Sequence, residues 1–150
     1  MGYHLYISKL KRAHLPPCGD EFVGGKVWQH WCIEDEDLER CEAEEIYEKK
    51  NIYLVRDMFS KAFKNIGVDW SESTIEVSKD MLQATDVELV AMSEKIAEAV
   101  ARGETYDVEP SECRFLDADD LKELQDFRSV LLEMLRTFNF EDYVLVVNWA

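Results

Sequence analysis

Apolar and polar positions along this chain switch between a two-residue and a three-to-four-residue period, and the switches divide it into elements. The first segment, Tyr3-His4-Leu5-Tyr6-Ile7-Ser8, alternates and is rich in β-formers, which predicts a strand with Tyr3, Leu5 and Ile7 on one face. The last, Tyr143 to Trp149, is almost continuously apolar and predicts a strand buried on both faces. Chain termini often lie close together, so these two strands are expected to be neighbours in one sheet. Between Leu10 and Ile33 the punctuation Pro16-Pro17, Gly19 and Gly24-Gly25 marks irregular chain, with the glycine pair placed as a hairpin turn between Phe22-Val23 and Lys26-Val27-Trp28.

From Asp37 to Ile66 the period becomes helical. It is cleanest at Ile52, Val55, Phe59, Ala62 or Phe63, and Ile66, with Gly67 as the C-terminal cap. Extending that face backwards places Glu45 and Glu48 on it, so 37–50 reads as a separate helix or an exposed extension. Thr85 and Glu88 form a capping box for a helix with Leu89, Met92, Ile96 and Val100 on its apolar stripe and Gly103 past its end. Before it, Thr74 to Leu82 fits strand and helix patterns alike and is expected to be a short helix or turn. Asp117 is the predicted N-cap of the last helix, with Asp119 and Asp120 in the dipole-favoured first turn. Leu121, Leu124, Phe127, Leu131, Met134 or Leu135, and Phe138 then mark it as the central core helix, stopping at Asn139. The expected fold is α+β and mostly helical, with the N- and C-terminal strands paired in a small sheet packed by long amphipathic helices. With no internal repeat and no linker, residues 1–150 are expected to form one globular domain.

Charge changes the picture more than composition does. The formal net charge is −15, yet residues 1–33 carry four bases against two acids. The acidity therefore belongs to the rest of the chain and peaks between Glu34 and Glu48, where nine carboxylates accompany one base, Arg40. Such a surface repels nucleic-acid phosphates and anionic lipid, which argues against direct nucleic-acid binding and against a membrane partner. The longest apolar stretches, such as Val144 to Val147, are far short of the ~20 residues of a spanning helix. No secretion-signal pattern opens the chain, so a cytoplasmic location is expected. Cys18, Cys32, Cys41 and Cys113 are even in number, but a chain this long with a good core does not need disulfides, and they are expected as free thiols.

Candidate chemistry is sparse. His14, Cys18, His30 and Cys32 supply four possible zinc ligands within nineteen residues, but their spacing departs from the usual knuckle, and two buried cysteines with two surface histidines is the simpler reading. A Cys18 nucleophile with His14 or His30 as base lacks a cation or helix terminus to stabilise the thiolate. No GxGxxG, P-loop, HExxH or GxSxG occurs. Neither a catalytic residue nor a cofactor is expected.

The acidic run is read as a docking surface for a basic protein, where complementary charge speeds association and rejects wrong partners. Its residues are Glu34, Asp35, Glu36, Asp37, Glu39, Glu42, Glu44 and Glu45, with Trp28 and Trp31 as apolar anchors. Core packing is the competing use of at least one of those tryptophans.

The stretch Tyr3-His4-Leu5-Tyr6-Ile7-Ser8 resembles the opening of small uncharacterised bacterial proteins that often sit beside secreted toxins as immunity proteins. The resemblance carries no functional residue over. Together with the charge it implies a non-enzymatic protein that neutralises a toxin, commonly a nuclease. The alternatives are a phage-encoded nucleic-acid mimic that inhibits a host defence complex, and a small enzyme or metal-binding protein built on the His14 to Cys32 loop.

Overall fold

The computed structural model describes residues 4–22, 25–29, 33–50, 52–65, 67, 70, 73–107 and 115–149. Strand β1 (His4–Lys11) runs into a 3-10 turn at Arg12–His14, followed by a hairpin of β2 (Asp20–Phe22) and β3 (Gly25–Gln29). Helix α1 (Asp35–Arg40), strand β4 (Glu44–Lys50) and helix α2 (Tyr53–Asn65) come next. They are followed by β5 (Ser73–Glu76), α3 (Lys79–Ala101), the short pair β6 (Tyr106–Asp107) and β7 (Phe115–Leu116), α4 (Ala118–Thr137) and β8 (Tyr143–Trp149).

Six strands form one antiparallel sheet in the order β2-β3-β5-β8-β1-β4. The architecture is α+β, with a sheet wider than the terminal strands alone predict. Those terminal strands do pair, from Leu5↔Trp149 to Lys11↔Tyr143. The unbroken apolar run of β8 follows from its place inside the sheet with a core on each side. Leu145 and Val147 join Leu5, Ile7 and Ile75 in the larger core under α2, α3 and α4, whereas Val144 and Val146 face the smaller one with Leu10 and Trp28.

Three segments depart from their predicted structure. Residues 44–50 are strand rather than helix: a helix there would turn Glu45 and Glu48 into the core, whereas pairing with β1 leaves both exposed and sets Tyr47 edge-on against Phe127 at 5.4 Å. Ser73–Glu76 is likewise a strand, buried between β3 and β8 by contacts its local pattern does not record. Thr85 does not start α3. That helix begins at Lys79, where the Ser78 hydroxyl accepts from the Met81 amide at 3.2 Å, and the Thr85 hydroxyl donates to the Met81 carbonyl within it. The hairpin turn predicted at Gly24-Gly25 falls partly outside the described residues, but Phe22 and Gly25 close the hairpin ladder.

The N-terminus of α4 matches its prediction. The Asp117 carboxylate accepts from the amides of Asp119 (2.9 Å) and Asp120 (3.3 Å), and the Asp117 amide in turn donates to Asp120 Oδ2 at 3.0 Å. Asp117→Ala should therefore destabilise the protein by about 1 kcal/mol, read as a lower urea midpoint at unchanged slope. An unchanged midpoint would mean that this cap contributes nothing.

Candidate binding surface

The acidic run is divided between α1 and β4, and the smaller core fixes how it is presented. Leu38 and the buried Cys41 pack with Ile33 against Leu10, Trp28, Val144 and Val146, so α1 lies on the sheet face opposite the three long helices. The Cys41 thiol donates to the His14 carbonyl at 2.9 Å, and the Lys11 amide donates to the Cys41 carbonyl at 2.7 Å, tying the end of α1 to the end of β1. Burial pushes the Cys41 thiol above its ordinary pKa. With Leu38 inward, Asp35, Glu36 and Glu39 point to solvent.

Some of the acids have local structural roles. Glu34 and Asp37 form a reciprocal capping box, with the Glu34 amide donating to Asp37 Oδ2 at 3.0 Å, and acids in the first turn offset the helix dipole. Lysines of β1 neutralise others: Lys9 meets Glu44 and Lys11 meets Glu42, each at 3.1 Å; His4 contacts Glu48. Arg40 reaches Asp37 at 3.4 Å. The run is thus partly compensated from a distant strand, which no pattern within residues 34–48 indicates. Asp35, Glu36, Glu39 and Glu45 are exposed and make no ion pair among the described residues.

Glu42 stands out by its backbone. It lies at φ 52°, the only described non-glycine residue with positive φ. The Ala43 amide donates to the Leu38 carbonyl and the Glu42 amide to that of Glu39, which makes this a Schellman ending with Glu at the position that glycine ordinarily fills. Left-handed backbone costs an L-residue on the order of 1 kcal/mol. Glu42→Gly is expected to raise stability by roughly 0.5–1 kcal/mol in urea denaturation. Lower stability in the variant would show that the Lys11 pair outweighs the backbone strain.

Trp28 is not an anchor on this surface. It has no solvent exposure, and its indole Nε1 donates to the Pro16 carbonyl at 3.2 Å. The loop closes over it at Gly19, where a Cβ would stand 2.5 Å from Nε1, so only glycine permits the approach. Trp28 is a core residue because β3 lies inside the sheet, beside β5. Trp31, His30 and Cys32 lie outside the described residues.

His14 is exposed on the 3-10 turn, and Cys18 is disulfide-bonded, its partner lying outside the described residues. The free-thiol expectation therefore fails at Cys18. A sulfur held in a disulfide supplies neither a thiolate nucleophile nor a zinc ligand. Among the described residues no group of three His, Cys, Asp or Glu side chains is placed to hold a metal, and no helix is long and apolar enough to cross a membrane.

Elsewhere on the same sheet face, Glu76 is nearly buried. Burial raises its carboxyl above the ordinary value, opposed chiefly by Arg12, whose guanidinium lies 3.9 Å away. This carboxylate faces a cation of its own chain rather than a cleft.

Sequence reasoning did not find the groove between β4 and α4. One end, which reaches across the sheet to Lys9 of β1 and Tyr143 of β8, is lined by Ile46, Glu133, Met134 and Phe138 around a cavity of about 730 Å³. The other is lined by Tyr47, Lys49, Glu123 and Asp126 around about 360 Å³, and Val130 borders both. Its α4 wall, Asp119, Glu123, Asp126, Val130, Glu133 and Thr137, follows a helical period visible in the sequence; its β4 wall depends on a strand mistaken for helix.

No protein-family model, curated protein or solved structure matches the chain.

Proposed function

We propose that this chain is a non-enzymatic acidic binding protein that neutralises a basic protein partner, in the manner of an immunity protein occupying the cleft of a nuclease-like toxin. The observation that carries this reading is the outward presentation of Asp35, Glu36, Glu39 and Glu45, which no base of the chain neutralises among the described residues. Carboxylates held on a short, well-anchored element would stand in for the phosphates such a cleft attracts. Glu42 adds weight, because a residue kept against its backbone preference on an exposed turn points to selection for its side chain. Glu34, Asp37 and Glu44 contribute to the field while serving as caps or pairing with lysine.

The test is affinity capture from the native host with mass spectrometry, using as baits the wild-type chain and the variant Asp35→Lys/Glu36→Lys/Glu39→Lys/Glu45→Lys. Recovery of a basic protein on the wild type alone, released by salt, is the expected result. Recovery of the same proteins on both baits would overturn the reading.

A further inference from the structure

The sheet ends at β4, and among the described residues no strand pairs with its outer edge. An exposed edge is a template for another strand, which proteins commonly block with charge or a bulge. Here both devices are present, and their arrangement selects a partner. Opposite β1, Tyr47 faces Ile7 and Glu45 faces Ser8, so Ile46 is the extra residue of a bulge. The bulge resets the alternation and places Glu45 and Glu48 together on one face, beside Ser8 and Tyr6, whereas Tyr47 faces the helices against Phe127. On the helix side Ile46, itself 39% exposed, stands in the wall of the groove described above, whose Ile46 end continues inward to Lys9 of β1 and Tyr143 of β8.

We infer that the β4 edge takes up an extended basic segment of the partner as a seventh strand. Lys or Arg side chains of that segment would face Glu45, which no base of the chain pairs among the described residues, and Glu48, which His4 also contacts, with a neutral side chain opposite Lys50 on the same face, and the intervening apolar side chains would rest in the groove on Ile46 and Val130. Main-chain hydrogen bonds then supply affinity, and the alternation supplies specificity. A second copy of this chain fits the edge poorly. Antiparallel pairing about Tyr47 would set Lys49 against Glu44 twice on the helix side and Glu45 against Glu48 twice on the other, so the cross-strand pairs cancel and leave the repulsion between molecules of net charge −15. The inference rests on the proposed basic partner and specifies how that partner is held.

The full chain, isotopically labelled, should be titrated with a synthetic peptide in which lysine alternates with valine, with amide exchange followed by NMR. The β4 amides that point away from β1 are expected to slow at least about tenfold. Glu45→Gln/Glu48→Gln should weaken the peptide roughly tenfold. The same peptide with its edge-facing nitrogens methylated keeps its charge but cannot pair, and it should not bind. Equal binding of the methylated peptide, or binding without protection in β4, would overturn strand addition and leave the acidic-surface reading standing. No peptide binding, with partner capture intact, would do the same. Protection in β4 that appears with protein concentration alone would assign the edge to a second copy and overturn the inference. Loss of partner capture, without loss of peptide binding, in Asp35→Lys/Glu36→Lys/Glu39→Lys would show that α1 and the edge contribute separately, as the inference expects.

Discussion

Phe59→Ala is expected to cost about 3–5 kcal/mol of folding stability. Phe59 is wholly buried in α2, and its ring meets those of Phe63, Trp70 and Phe127 at 6.2, 6.4 and 5.9 Å. Those rings come from α2, the chain before β5, and α4. Truncation removes one member of a cluster that joins three segments, and well-packed neighbours cannot all close on the space. Against a typical total of ~5–15 kcal/mol this is a large fraction. Phe115→Ala is the matched control: the side chain is 64% exposed, and the loss should stay within about 0.5 kcal/mol. Urea denaturation reads both. A Phe59→Ala cost below ~1 kcal/mol would contradict the assignment of this cluster as the centre of the larger core. Because α1 lies on the other face of the sheet, the fraction of Phe59→Ala that remains folded should bind partner normally.

The second large effect is on association. Replacing Asp35, Glu36, Glu39 and Glu45 with lysine moves the formal net charge of −15 by about eight units toward zero, all on the proposed surface. Electrostatic steering alters association rates by ~10–1000-fold, so the variant should bind its partner about a hundredfold more slowly at low ionic strength. Salt should narrow the difference, since a Debye length of ~8 Å at physiological strength screens exposed charge. The four sites lie outside the core; lysine at Asp35 and Glu36 opposes the helix dipole while relieving like-charge repulsion on α1, so stability should change by no more than about 1–2 kcal/mol. Glu34 and Asp37 are left in place because they cap the helix.

How far the fold is legible in the sequence depends on where each element's contacts come from. Helix α4 reads correctly because Asp117, Asp119 and Asp120 make its cap locally. β8 reads correctly because both faces are buried and its whole sequence is apolar. β4 and β5 do not, since their partners are distant in the chain: β4 pairs with β1 some forty residues away, and the buried Thr74 and Glu76 of β5 have little to mark them as interior. The acidic surface is half legible. Its charge is plain in the sequence, but the lysines that neutralise Glu42 and Glu44 come from β1. Trp28 illustrates the same limit, because whether an aromatic residue anchors a partner or fills a core is decided by what the sheet places above it.

The most direct test of the account is the association rate of the captured partner with the wild-type chain and with the four-site lysine variant, measured by stopped flow across a range of salt. The account predicts a steep fall in rate with salt for the wild type and a slower, nearly salt-independent rate for the variant. Equal rates and equal salt slopes for the two would contradict it.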